Sequence, residues 1–327
     1  FIGIGATLKI NPGLTAGVIV SGAFCGSNIS PLSGTTNLAA SVGEISIYKH
    51  IKSLLTTDIP AWAICLILYT FLGLNSKNVS LGAVHQMMAG LQNGFWISGW
   101  ALLPVLLLIV LAIFQVPAIP SLGLGSLFAV VLGWIHAPKT SLTTITNTIM
   151  TGYVSHTGDK TIDTLLSKGG ISSMLTSLAL IIFALALGGL LIKFNIISAI
   201  INHLTGIVKT PGRLAFSTAL TCIGVNLLVG EHYLAIILPG QSFLPSFDKL
   251  GLKRVDLTRI LNDAGAAVNA IVPWSVSGVF IASTLQINPL NFIPWAFFPF
   301  FVTILTIIAG MLVKVPVKSP AANLATE

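Results

Sequence analysis

Residues 22–40 read G-A-F-C-G-S-N-I-S-P-L-S-G-T-T-N-L-A-A, and apolar sequence flanks them on both sides from 14 to 42. An unbroken helix would avoid this composition, because proline removes a backbone donor and polar side chains in lipid are costly. Residues 257–285 have the same character, apolar but interrupted by Gly, Ser, Thr, Asn and Pro. Irregular backbone at membrane depth survives only where protein or a water-filled cavity satisfies it. The surroundings make membrane depth the right frame. Of 327 residues, 54% are hydrophobic and 8% charged, against about 25% charged in soluble domains. The expected fold is an all-α, polytopic transmembrane bundle with two discontinuous helical segments, forming one integral membrane domain over residues 1–327.

Working outward from these segments, residues 102–114 (with a flank from Trp96), 120–138, 172–193 and 293–314 are the long apolar runs, and 60–74 and 214–230 are shorter ones. A helical span needs about 20 such residues. Trp62, Trp96, Trp100, Trp134 and Trp295 fall near the ends of these runs, where indoles anchor in the headgroup layer. Membrane lipid is therefore an expected partner, and the setting is the cell membrane.

Laying Pro31 over Pro273 also aligns Ile29 with Ile271, Ser33 with Ser275, Ala40 with Ala282 and Ser41 with Ser283. Paired interrupted segments are the sequence pointer to a transporter built from inverted repeats, with its site where the broken helices meet. Basic residues orient such a chain. If 233–247, which contains Pro239 and Gly240, crosses the membrane, Lys49, Lys52, Lys193, Lys209 and Arg213 share a side with Lys249, Lys253, Arg254, Arg259, Lys314 and Lys318. If it dips in and out, Lys9, Lys77, Lys139, Lys160 and Lys168 take their place, and the tally is eleven to five either way. The crossing reading is preferred because it sends the two interrupted segments through the membrane in opposite directions.

Chemistry at depth narrows to few residues. Asp159 and Asp163, beside Lys160 and Lys168, and Asp248 and Asp256 in a basic loop are expected to be solvated, and Glu44 to mark an interfacial end. Glu231 closes one apolar run and opens another, while Asp263 lies inside the second interrupted segment, four residues after Arg259 on one helical face. An ionisable group at that depth is a site candidate by default. Asn28, Ser30, Ser33, Thr35, Thr36 and Asn37 offer the oxygen ligands a hard cation accepts, and Gly26, Pro31 and Gly34 would open the backbone so that carbonyls join them. His156 and His232 are of the type that titrates near neutral pH.

Other classes recede. The 16 basic residues, a net charge of +7, are spread through short loops with no patch or aromatic stripe, so nucleic acid is not an expected partner. Cys25, Cys65 and Cys222 are odd in number and far apart, giving neither a disulfide framework nor a metal motif. H-E-x-x-H, G-x-x-x-x-G-K and G-x-S-x-G are all missing, and neither an enzyme nor a resident cofactor is expected. The chain starts at Phe1. It reads as the downstream part of a longer protein, and as given it could be an inactive truncated fragment.

The run I-S-P-L-S-G-T-T-N-L-A-A from Ile29, G-Y-V-S-H-T-G from Gly152, L-L-S-K-G-G-I-S-S-M ending at Met174, N-L-L-V-G-E-H-Y-L with P-G-Q-S-F, and R-I-L-N-D-A-G with I-V-P-W resemble the NhaC-type sodium/proton antiporter family in order along nearly the whole chain. The resemblance implies a multi-spanning antiporter, possible as a homodimer, exchanging sodium ions for protons, with some relatives exchanging small carboxylates such as malate and lactate. It places Pro31, Ser33, Thr35, Thr36 and Asn37 on the family's S-P-L-S-D-T-T-N pattern, Glu231 on its acidic position after Gly, and Arg259, Asp263, Gly265, Pro273 and Trp274 on its R-x-x-x-D-x-G and P-W patterns. The chain departs from that pattern at Gly34, where the family has Asp, at Ser27 and Asn28, where it has Asp and Lys, at Asn262, where it has Glu, and at Ser275, where it has Asn. Those departures imply weaker cation binding or a different number of charges moved per cycle.

Overall fold

A computed structural model describes residues 1–8, 10–74, 88, 97–114, 116–158, 163, 166–167, 169–196, 199 and 210–313. Lys9, Lys77, Trp96, Asp159, Lys160, Lys168, Lys209, Lys314 and Lys318 lie outside the described residues. Every regular element among the described residues is helical. In chain order they are α1 (Ile2–Thr7), α2 (Pro12–Asn28), α3 (Gly34–Val42), α4 (Ile47–Leu74), α5 (Leu103–Ile113), α6 (Ala118–His136), α7 (Leu142–Thr151), α8 (Ile171–Lys193), α9 (Pro211–Val229), α10 (His232–Lys249), α11 (Arg254–Ile260), α12 (Val276–Leu285), α13 (Pro289–Phe292) and α14 (Phe297–Met311). A π-helical turn (Leu261–Ala266) and a 3-10 turn (Ala267–Ile271) prolong α11. Helices α4, α6, α8 and α9 are long and apolar enough to cross a bilayer, and two bent pairs raise the number to six if each is one span.

Several expected spans change length. The run 60–74 is the second half of α4, which begins at Ile47 and carries Pro60 inside it. The run 102–114 yields only an 11-residue helix behind a short 3-10 turn, less than a bilayer's thickness. Residues 293–314 are not one helix. Pro289–Trp295 and Phe297–Met311 meet at 52°. Helix α10 runs unbroken through Pro239, Gly240 and Pro245.

The chain divides into two compact units. The first comprises Phe1–Pro12 and Ser76–Ala179. In it α5 and α6 form a hairpin in which Gly125 gives room to Leu108. Its loop after α7 is drawn closed where Gly170 meets the backbone of Thr151 and Gly152, both glycines holding positive φ. There Asp163 accepts from the Thr157 amide and hydroxyl (2.7 Å each), the Ser155 hydroxyl (2.8 Å) and the Gly158 amide (3.2 Å). Those donors, Thr157 first, hold its carboxyl down at about 2.

The second unit, Gly13–Asn75 and Leu180–Glu327, contains both interrupted segments. Its core mixes small and large apolar residues: Ala39, Ala219, Cys222, Ala235 and Ala264 let helix backbones approach, and Phe243, Phe247, Leu257 and Ile260 fill the remaining space. Both interruptions are real. The first lies at residues 29–33 between α2 and α3, and the second at 272–275 between the 3-10 turn and α12. Ser33 and Ser275, aligned in the sequence, are the N-caps of α3 and α12.

Their directions follow from side-chain pairs. Asn28 lies beside Asp263, Gly43 packs on Thr258, and Glu44 is bonded to Arg254. Residue number thus rises in one segment as it falls in the other, so the segments run antiparallel, as inverted repeats require. Lys49, Lys52 and Lys253 line one cavity and so lie at one end of the bundle. That end also receives the start of α9, where Gly212 faces Met311. The opposite end of α9, Gly230, meets Trp274 and Ser275. Helix α10 returns from there toward Lys249, an arrangement that agrees with the crossing reading.

Candidate functional site

The antiparallel arrangement brings the end of α2, the middle of α4 and the π-helical turn to one buried point. Asn28 is 2% exposed, Asp58 1% and Asp263 fully enclosed. Asn28 Nδ2 donates to Asp263 Oδ1 at 3.2 Å and reaches Asp58 Oδ1 at 3.5 Å, so one neutral amide bridges two carboxylates. Thr57 donates its hydroxyl to Asp263 Oδ2 at 2.8 Å. Asp58 Oδ2 is buried with no partner. The Thr306 hydroxyl of α14 faces Asp263 without closing a hydrogen bond, and both amide atoms of Asn262 are buried and unpaired.

Backbone anchors fix this geometry. The Thr36 hydroxyl is 3.0 Å from the Asn28 carbonyl, holding the last turn of α2 against α3. Thr303 hydroxyl lies 3.0 Å from the Asp263 carbonyl. Gly265 brings α10 close, with a Cβ there only 3.0 Å from the Ala235 carbonyl, and its own carbonyl accepts from Asn226 Nδ2 at 2.7 Å. A π-turn leaves carbonyls out of ordinary register, which is why such turns mark functional positions.

Other sequence candidates lie elsewhere. Ser33 pairs with Thr35 (3.0 Å) and Ser27 (3.2 Å), Asn37 Nδ2 bonds the Pro31 and Ser33 carbonyls (2.7 and 2.9 Å), and the Ser30 hydroxyl accepts from the Leu32 amide. These groups stabilise the first break and do not join Asn28 at Asp263. Pro31 and Gly34 are exposed at the break. A Cβ on Gly34 would stand 2.8 Å from the Tyr233 hydroxyl. Glu231 caps α10, accepting from the Leu234 amide at 2.8 Å, with His232 at 3.7 Å. Ser275 bonds the Asn269 carbonyl and the Gly278 amide, Trp274 donates to the Leu227 carbonyl, and Pro273 precedes both in the second break. His156 is exposed.

Arg259 does not pair with Asp263. Its Nη2 bonds Asp256 at 3.0 Å, and Nη1 lies 3.3 and 3.4 Å from the Ser53 and Thr56 hydroxyls. Helical side chains lean toward the N-terminus, so Arg259 meets the acid three residues before it. Asp256, expected to be solvated, is consequently an ion-pair partner only 14% exposed.

Sequence reasoning missed Asp58, Thr57, His50, Asn226 and Asn269. His50 is fully buried, 3.0 Å from Thr258. Asn269 joins Asn226 (2.8 Å) and the Gly230 carbonyl (3.2 Å), tying the second break to the α9–α10 turn. An acid adjacent to a proline-led apolar run was the available signal for Asp58.

The sequence model of the Na+/H+ antiporter family matches residues 13–313. The chain belongs to that family. It is similar to the Na(+)/H(+) antiporter NhaC of Bacillus subtilis (strain 168), 37% identical over 315 residues that cover 96% of this chain and 70% of the relative. The Na(+)/H(+) antiporter NhaC of Alkalihalophilus pseudofirmus is 36% identical, covering 95% and 67%. A malate-2H(+)/Na(+)-lactate antiporter of Bacillus subtilis is 34% identical, covering 94% and 66%. No solved structure matches the chain. Family and apolar helices together make this a multi-pass protein of the cell membrane.

Proposed function

We propose that the chain exchanges sodium for protons, and that Asp58 and Asp263 form the shared site. One observation carries this reading: the two buried carboxylates are joined only by neutral donors, Asn28 and Thr57, while Arg259 is committed to Asp256. Two like charges in a dry site demand either a bound cation or protonation. Sodium takes oxygen ligands, and Asp58 Oδ2, the Asp263 carboxylate and the Thr306 hydroxyl supply them without breaking a protein ion pair. Binding of sodium favours the ionised pair and protonation expels sodium, so one site serves both ions in alternation.

Asn28 gives the reading its specificity. Its neutral amide spans the two carboxylates without placing a positive charge between them that would compete with a cation. The experiment is reconstitution of the full-length protein into liposomes with an internal pH dye. Sodium or lithium gradients should drive pH changes. Their absence, with a working control transporter, rejects the proposal, and counterflow of labelled malate or lactate without a sodium-driven pH signal transfers the function to small carboxylates.

A further inference from the structure

The basic end of the second unit holds a cavity of about 570 Å3 that the exchange site does not use. This is within the size of ordinary ligand sites. Lys49 and Lys52 reach it from the first turns of α4, one turn apart, and Lys253 from the N-cap of α11. The single acid on its wall, Asp256, is already neutralised by Arg259. Glu44 and Asp248, the other nearby acids, are both bonded to Arg254. Glu44, Asp248 and Asp256 carry three negative charges against the two positive charges of Arg254 and Arg259, so among the described residues the three ammonium groups facing the cavity outnumber the single carboxylate charge left over. The Ser53 and Thr56 hydroxyls add hydrogen-bonding capacity.

The remaining wall is apolar, made by Leu252, Val255 and Val313. A mixed lining of this kind, at the ends of helices α4 and α14, matches an amphiphile: phosphate toward the lysines, glycerol and upper acyl chain toward the valines. We infer that this cavity binds the phosphate headgroup of an anionic phospholipid. Basic pockets between spanning helices at one membrane face are where such headgroups are held. The site also touches the exchange site indirectly, because the residues that hold Arg259, namely Ser53, Thr56 and Asp256, form its floor, and Thr57 is the next residue on α4.

The test is lipid binding, which is independent of transport. The purified full-length protein is titrated with phosphatidylglycerol or phosphatidylcholine, and bound lipids are counted by native mass spectrometry. Each lysine contributes roughly a fivefold gain in affinity for an anionic headgroup. K49Q/K52Q/K253Q should lose on the order of a hundredfold. The variant K49R/K52R/K253R should retain binding. Parental binding of phosphatidylglycerol no tighter than of phosphatidylcholine, or equal binding by K49Q/K52Q/K253Q and the parent, overturns the inference. Inorganic phosphate at millimolar concentration displacing the lipid, with the same lysine dependence, assigns the cavity to a soluble phosphate and overturns the lipid. If K49Q/K52Q/K253Q does not fold, parental discrimination between the two lipids decides alone.

Discussion

The two interrupted segments share a plan and differ in where they keep their polarity. In the first, Ser27, Ser30, Ser33, Thr35 and Asn37 crowd the break and satisfy one another and the local backbone, while Asn28 is buried and reaches Asp263. In the second, the break itself is quiet, closed by Ser275 and Asn269, and the acid sits about ten residues earlier in a π-turn. The difference teaches that a density of hydroxyls can be spent on closing a break in the helix. Hydroxyls at the first break already have partners, whereas Asp58 keeps a buried carboxylate oxygen without one, which is why the proposed site is placed there.

The largest effect should come from the second segment. Asp263→Asn keeps volume but removes the charge, and is expected to reduce sodium-driven exchange more than a hundredfold in the liposome assay, about 3 kcal/mol. The protein should still insert and fold, because no ion pair at Asp263 is broken. Misfolding of this variant would restore a structural role for the acid.

Asn28→Lys, in the first segment, exchanges a neutral bridge for an ammonium between two carboxylates. Exchange should fall at least tenfold while thermal stability rises, since hydrogen bonds to charged groups contribute about 1.5–3 kcal/mol. A stable variant that still exchanges sodium would separate Asn28 from the ion site.

Arg259→Gln divides structure from transport. Breaking a largely buried pair by removing one partner costs about 3–5 kcal/mol, so expression and melting temperature should drop while the folded fraction retains exchange. An arginine that the cation must displace would give the reverse.

The smallest effect belongs to the first break. S33A/T35A/N37A should change exchange less than about twofold and lower stability by roughly 1–2 kcal/mol, since exposed hydrogen bonds are each worth about 0.5–1.5 kcal/mol and partly replaced by water. A collapse of sodium affinity in this variant would return those hydroxyls to the ligand shell.

Much of this architecture is local enough to read from sequence. The two interruptions, their aligned prolines and capping serines, and Asp263 as an acid at depth are all properties of short windows. Partnership is not local. Asp58 lies just outside the run 60–74 that reads as a span, and its contact with Asn28 depends on α4 extending back to Ile47. The spacing of Arg259 and Asp263 suggested a pair, but side-chain direction on the helix chose Asp256. Charge counting is silent for a related reason: both topologies give the same tally, and the shared cavity of Lys49, Lys52 and Lys253 depends on tertiary packing.

The most direct test of the Asp58–Asp263 pair is sodium-dependent thermal stabilisation of the purified protein across pH, in the parent and in Asp58→Asn. A ligand that binds only the folded state raises its stability by RT ln(1 + [L]/Kd). Protons compete for the same oxygens, so apparent sodium affinity in the parent should weaken by up to about tenfold for each unit that pH falls below the pair's titration. Asp58→Asn should lose the sodium-induced shift at every pH. A sodium shift that ignores pH, or one that persists unchanged in Asp58→Asn, would contradict a common site for sodium and protons.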